Sequence, residues 1–231
     1  MDFYVLILSV HLVFCMIPAV VGISSYRLLT KELKILAILF VVVCLVEMVS
    51  LILTILAKNN VWIYHFYAPI EYALYVTVFS YWIKNAQIKK ALRYSIAGFA
   101  ILSVASSLNT GDIFKFNYFP VTVAYIIYDG VAAITLIQVF NDDWGSVFKR
   151  HLFWIASALL LLSSCNLIYF AFHDMVPPES TDIFWTAHNI INMIAYLFYA
   201  IGFVCYKRYA SADQEEYLGI DTPLTGNQRF E

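Results

Sequence analysis

Five ionisable residues stand where an apolar chain has least room for them. Glu47, Glu71 and Asp129 fall near the middle of long hydrophobic runs, and His65 and His188 near the start of two such runs. Ionisable groups at bilayer depth are costly, face a bundle interior or water, and mark ligand or proton pathways. Carboxylates exchange protons and attract cations, and imidazoles do acid–base work or ligate metals. Apart from Lys34 and Arg93 at the margins of two runs, there is no lysine or arginine between the ends of these runs. The carboxylates therefore have no internal basic partner other than histidine. Each must be held neutral by a proton, caged by donors such as tyrosine hydroxyls and asparagine amides, or met by water or a bound cation. Such a set favours a proton, a metal ion or an amine over an anion.

The elements that carry these residues are membrane spans. Of the 231 residues 62% are hydrophobic and 13% charged, against about 45–50% and about 25% in soluble domains. A helix needs roughly 20 apolar residues to cross a bilayer. Seven segments qualify, at 3–23, 33–57, 61–83, 91–108, 119–140, 152–173 and 183–206. The runs are continuous, with no β-barrel alternation. The reading is an all-α, polytopic membrane protein: a seven-helix bundle over residues 1–208 and a cytoplasmic tail over 209–231. Asp213, Glu215, Glu216, Gly219, Pro223 and Gly226 give that tail a disordered composition, or make it a docking peptide for a cytoplasmic partner. The first basic residue is Arg27 and Asp2 stands at the front, so the first run reads as a retained helix and not a cleaved signal.

Basic residues set an orientation. Arg27, Lys31, Lys34, Lys84, Lys89, Lys90, Arg93, Lys149, Arg150, Lys207, Arg208 and Arg229 fall on one side, against Lys58 and Lys115 on the other. The positive-inside rule places the N-terminus outside and the C-terminus in the cytoplasm. Cys15, Cys44, Cys165 and Cys205 lie singly inside apolar runs and read as packing residues.

Helical spacing of about 100° per residue groups the polar positions into stripes. Tyr64, Tyr67, Glu71 and Tyr75 share one face of the third span, with His65 about 120° away from Glu71. Glu47, Ser50 and Thr54 share a face of the second. Thr122, Tyr125 and Asp129 do so in the fifth, Ser163, Asn166 and Tyr169 or Phe170 in the sixth, and Trp185, His188, Asn192, Tyr196 and Tyr199 in the seventh. Lipid satisfies none of these groups, so the stripes turn inward. One shared pocket in the outer half is expected, lined by Glu47, Tyr64, His65, Tyr67, Glu71, Asp129, Asn166, His188 and Asn192. His11, near the outer half of the first span, could join the site but has no polar stripe nearby, and His151 and His173 sit at span ends.

The third span opens Trp62-Ile-Tyr-His65 and the seventh Trp185-Thr-Ala-His188. The match allows a 3+1+3 parallel repeat with the fourth helix as connector; chance is the competing account. In architecture the chain resembles seven-helix transporters, opsins and receptors. The seventh span lacks the lysine that retinal proteins need. The HxxxH pair of seven-helix zinc hydrolases of the alkaline-ceramidase type is here His188 and Asn192, and the Pro-Gln signature of the small sugar transporters is absent. The chain also looks like small bacterial seven-helix proteins, a likeness that implies a bacterial inner membrane and transfers no activity.

No GxSxG, P-loop, HExxH or glycine-rich dinucleotide fingerprint occurs, and no basic tract suggests nucleic acid. A cofactor is not specified. The leading expectation is binding, transport or sensing of a small cationic or amphiphilic ligand, or of protons, by a pocket that opens to the outer side. The alternatives are a metal-dependent lipid hydrolase, with His65 and His188 as ligands joined by a carboxylate, and a structural subunit of the bilayer without its own activity.

Overall fold

The computed structural model describes residues 3–110, 113–142, 144–172 and 181–217. They form α1 (Phe3–Ser24), α2 (Lys31–Ile55), α3 (Val61–Trp82), α4 (Ala86–Thr110), α5 (Tyr118–Asp142), a 3-10 turn (Trp144–Lys149), α6 (His151–Phe172) and α7 (Thr181–Tyr217). Six of the helices, α1, α2, α4, α5, α6 and α7, are long and apolar enough to cross a membrane. The chain is thus an all-helical, multi-pass membrane protein.

α3 is of similar length but carries His65, Glu71 and five tyrosines, and its surroundings explain why. Apart from Tyr81 near its end, its exposed side chains are Trp62, Phe66 and Ile70, a narrow strip at four-residue intervals. Only that strip needs an apolar composition. α4 is the reverse case. It begins at Ala86, earlier than the expected 91, and exposes Tyr94, Ile101, Val104 and Leu108 along its outer face.

Asparagines start two of the helices. Asn59 Oδ1 accepts from the Val61 amide at 2.8 Å ahead of α3. Asn85 Oδ1 accepts from the amides of Gln87 and Ile88 at 2.9 and 3.1 Å ahead of α4, satisfying donors that the first turn leaves open. α2 stops at Ala57, whose φ of 53° is left-handed. The Lys58 amide then reaches back to the Leu53 carbonyl at 2.8 Å. This tight stop brings Asn60 back beside the last turns of α2. α7 meets no glycine or proline between Lys207 and Tyr217, and it continues as helix beyond residue 208, where the tail was expected to begin. The rest of that tail, 218–231, and His173 lie outside the described residues.

The helices close a ring in the order α1, α2, α3, α5, α6, α7, with α7 returning to α1. α4 packs from outside on α3 and α5. At one end Asn59 Nδ2 donates to the Phe114 carbonyl at 3.1 Å, joining the α2–α3 and α4–α5 turns. At the other end Lys84 Nζ donates to Asp142 at 2.7 Å, with Arg150 3.6 Å from the same carboxylate. Two glycines set the closest helix crossings. A Cβ on Gly22 of α1 would lie 2.9 Å from the Ala37 Cβ of α2. The corresponding crossing of α7 on α6 is at Gly202. Cys15 and Cys44 also meet between α1 and α2, with Sγ atoms 3.2 Å apart, and all four cysteines are free thiols.

The inner half of the ring is filled by rings. Phe40 and Tyr199 lie 4.7 Å apart between centroids, Tyr75 and Tyr128 5.1 Å, and Phe40 and Phe203 6.3 Å. All five side chains are at most 1% exposed. These rings form a packed layer between the helices, and Tyr128 also borders the cavity described below.

Candidate functional site

Above the aromatic layer the ring encloses a cavity of about 530 Å³. It runs toward the end at which α3, α5 and α7 begin, where Asn60, Phe116 and Trp185 border it. α2 contributes Glu47, Ser50 and Thr54, and α3 contributes Tyr64, Tyr67 and Glu71. Asn166 comes from α6, and His188, Asn192 and Tyr196 come from α7. Among the described residues no lysine or arginine lines it.

Seven of the nine residues expected at the site line this cavity, and two do not. His65 points away from it, toward α4 and the α4–α5 turn. Its Nε2 bonds the Lys115 carbonyl at 3.0 Å and its Nδ1 the Ser107 hydroxyl at 2.9 Å. A carbonyl only accepts, so Nε2 carries the proton and Nδ1 accepts from Ser107. The 120° between His65 and Glu71 is enough to put them in different compartments. Asp129 is the second correction. It faces α6, where Ser163 and Ser164 both donate to its Oδ1, the latter at 2.9 Å. α5 therefore presents Val121, Ala124, Tyr125 and Tyr128 to the cavity, about one residue's rotation from the expected stripe. Thr122 is satisfied within its own helix by the Tyr118 carbonyl at 2.9 Å.

Asp129 thus acts as a clamp between α5 and α6. Replacing it with Ala is expected to cost about 1 kcal/mol of stability, seen as a lower unfolding midpoint in detergent. Occupancy of the cavity should be unchanged in the same variant.

His11, which sequence spacing left outside the expected lining, also borders the cavity. A lone histidine in an apolar helix carries no periodic signal, yet its Nδ1 lies 3.8 Å from Glu47 Oε2 and its ring 5.4 Å from that of Tyr196. Neither ring nitrogen has a hydrogen-bond partner, although the residue is 5% exposed. Tyr67 donates to Glu71 Oε1 at 2.9 Å, which leaves the second oxygen of Glu71 for another donor. Glu47 keeps 16% of its side-chain surface, and it borders the cavity. Asn60, held by bonds to Ser50 at 2.7 Å and Thr54 at 3.3 Å, shapes the mouth.

The opposite wall is aromatic. The rings of Phe116, Phe170 and Tyr125 are nearly parallel, with interplanar angles of 5° and 7° and centroid separations of 5.1 and 5.8 Å. Tyr169 stacks on His188 at 4.6 Å. Asn192 Nδ2 donates to His188 Nε2 at 3.2 Å, which puts the imidazole proton on Nδ1. That Nδ1–H, Asn192 Oδ1, Asn166 Oδ1 and the Tyr128 hydroxyl are buried and without hydrogen-bond partners.

Chemically the cavity offers two carboxylates, two imidazoles and a wall of π faces. His65 and His188 do not share a compartment, and the described residues contain no group of three His, Cys, Asp or Glu side chains arranged to hold a metal ion. Comparison with protein families, with curated proteins and with solved structures finds no match for this chain.

Proposed function

We propose that the protein crosses the membrane seven times, with its N-terminus outside, and that the cavity captures a small organic cation from the outer side. The observation that carries this reading is the presence of Glu47 and Glu71 in one cavity that, among the described residues, no lysine or arginine lines. Anionic side chains in a low-dielectric enclosure attract a cation far more strongly than in water. Aromatic faces add to that attraction and repel an anion. The buried, packed rings of Phe40, Tyr75, Tyr128 and Tyr199 favour capture from one side over an open pore. Capture serves either alternating-access transport, with Glu71 as the proton carrier, or sensing, with the signal passed to a cytoplasmic partner through α7 and the tail.

Support for the orientation comes from where the cations fall on the helices. Arg27 to Lys34, Lys84 to Arg93, Lys149, Arg150, Lys207 and Arg208 all stand at the end opposite the cavity mouth. α3 completes the seventh crossing because its polar residues are covered by neighbours. The ring order also suits a 3+1+3 repeat: exchanging α1, α2, α3 with α5, α6, α7 preserves every neighbour, with α4 outside.

The test is thermal unfolding of the detergent-solubilised protein with n-butylammonium chloride, sodium butyrate or sodium chloride at matched ionic strength. The midpoint is expected to rise with n-butylammonium alone. An equal rise with butyrate, or none with the amine, sinks the proposal.

A further inference from the structure

Resting on that reading, we infer that the ligand is an arylalkylamine: an ammonium group joined by a short linker to an aromatic ring that carries a polar substituent. The division of the cavity is the argument. Both carboxylates come from α2 and α3, whereas α5, α6, α7 and the turn before α5 supply the ring wall. A ligand that meets both needs its charge at one end and a flat face at the other.

The ring wall is preordered. Phe116, Phe170 and Tyr125 hold parallel planes by stacking on one another, so a further ring adds at an existing edge or face with little rearrangement. A saturated ring buries similar apolar area but lacks the π complementarity, so the two kinds of ring are distinguishable in binding.

Polar atoms beside that wall specify the substituent. Asn166 is 3% exposed and Asn192 6%, and the Oδ1 of each is an acceptor without a hydrogen-bond partner. His188 Nδ1–H supplies an unpartnered donor at the same wall. A phenolic hydroxyl or an indole N–H gives the acceptors what they lack, and a hydroxyl also accepts from the imidazole. Buried polar groups left unmatched penalise a ligand without that substituent.

The experiment is a set of calorimetric titrations of the native protein in nanodiscs with four amines of common head group: n-butylamine, 2-cyclohexylethylamine, 2-phenylethylamine and 4-hydroxyphenylethylamine. Affinity is expected to rise roughly tenfold from the cyclohexyl to the phenyl compound and again roughly tenfold with the hydroxyl. Equal affinity for the cyclohexyl and phenyl compounds overturns the aromatic-wall inference while leaving cation capture intact. Equal affinity for the phenyl and hydroxyphenyl compounds overturns the substituent. If no amine in the set binds, the underlying reading of a cation cavity fails.

Discussion

Replacing Glu47 and Glu71 together with glutamine is expected to weaken amine binding by about 100-fold or more while the bundle stays folded. Glutamine keeps the shape and hydrogen-bonding capacity of each side chain and removes its capacity for charge. A hydrogen bond to a charged group contributes about 1.5–3 kcal/mol, against about 1 kcal/mol for a neutral one. Two such losses amount to about two decades of affinity. Tyr67, which donates to Glu71 at 2.9 Å, finds the glutamine oxygen in the same place. Stability should therefore hold or rise, because neither buried position must carry a charge. Single variants separate the two roles. Glu71→Gln is expected to remove the larger share, since Glu47 has His11 at 3.8 Å as a competing partner. The readout is titration of each variant with n-butylammonium beside its unfolding midpoint. Unchanged affinity in the double variant would exclude the carboxylates from the site.

The second large effect concerns the scaffold. Gly202→Val is expected to destabilise the bundle by about 3 kcal/mol. A Cβ at this position would lie 2.6 Å from Ile155 Cγ1 and 3.4 Å from the His151 carbonyl oxygen. Ile155 is fully buried and cannot swing aside, so α6 and α7 must separate. Because α7 carries His188 and Asn192, and α6 carries Asn166, that separation also widens the cavity. Gly98→Ala is the matched control. Nothing lies within 4 Å of a Cβ there, on a helix at the outside of the ring. Its midpoint should stay level or rise by the small amount that alanine gains over glycine in a helix. Equal losses in the two variants would mean that the α6–α7 crossing does not limit stability.

Much of the cavity lining was legible in the spacing of polar residues. On α2, α3 and α7 the polar side chains repeat every three or four residues and all turn to the same interior. There the stripes of Glu47, Ser50 and Thr54, of Tyr64, Tyr67 and Glu71, and of Trp185, His188, Asn192 and Tyr196 line one cavity, while Tyr75 and Tyr199, the last members of the stripes on α3 and α7, do not. The rule failed where a polar group has a private partner on an adjacent helix. Asp129 is satisfied sideways by Ser163 and Ser164, and His65 by Ser107 and the Lys115 carbonyl. Helical phase says which residues share a face. It does not say which helix that face meets, so neither the ring order nor the outside place of α4 could be read in advance. His11 could be named only as a residue able to join the site, for the opposite reason: a single polar residue has no period. Its partner Glu47 sits on another helix.

The central claim is that the cavity holds a cation at one defined site, and saturation is the property that decides it. An amphiphilic amine also partitions into lipid, where uptake rises in proportion to concentration and has no stoichiometry. The deciding measurement is therefore calorimetric titration of the native protein in nanodiscs with n-butylammonium, with empty nanodiscs subtracted. A saturable isotherm with one amine per chain is expected. A linear, non-saturating response equal to that of empty nanodiscs would contradict it.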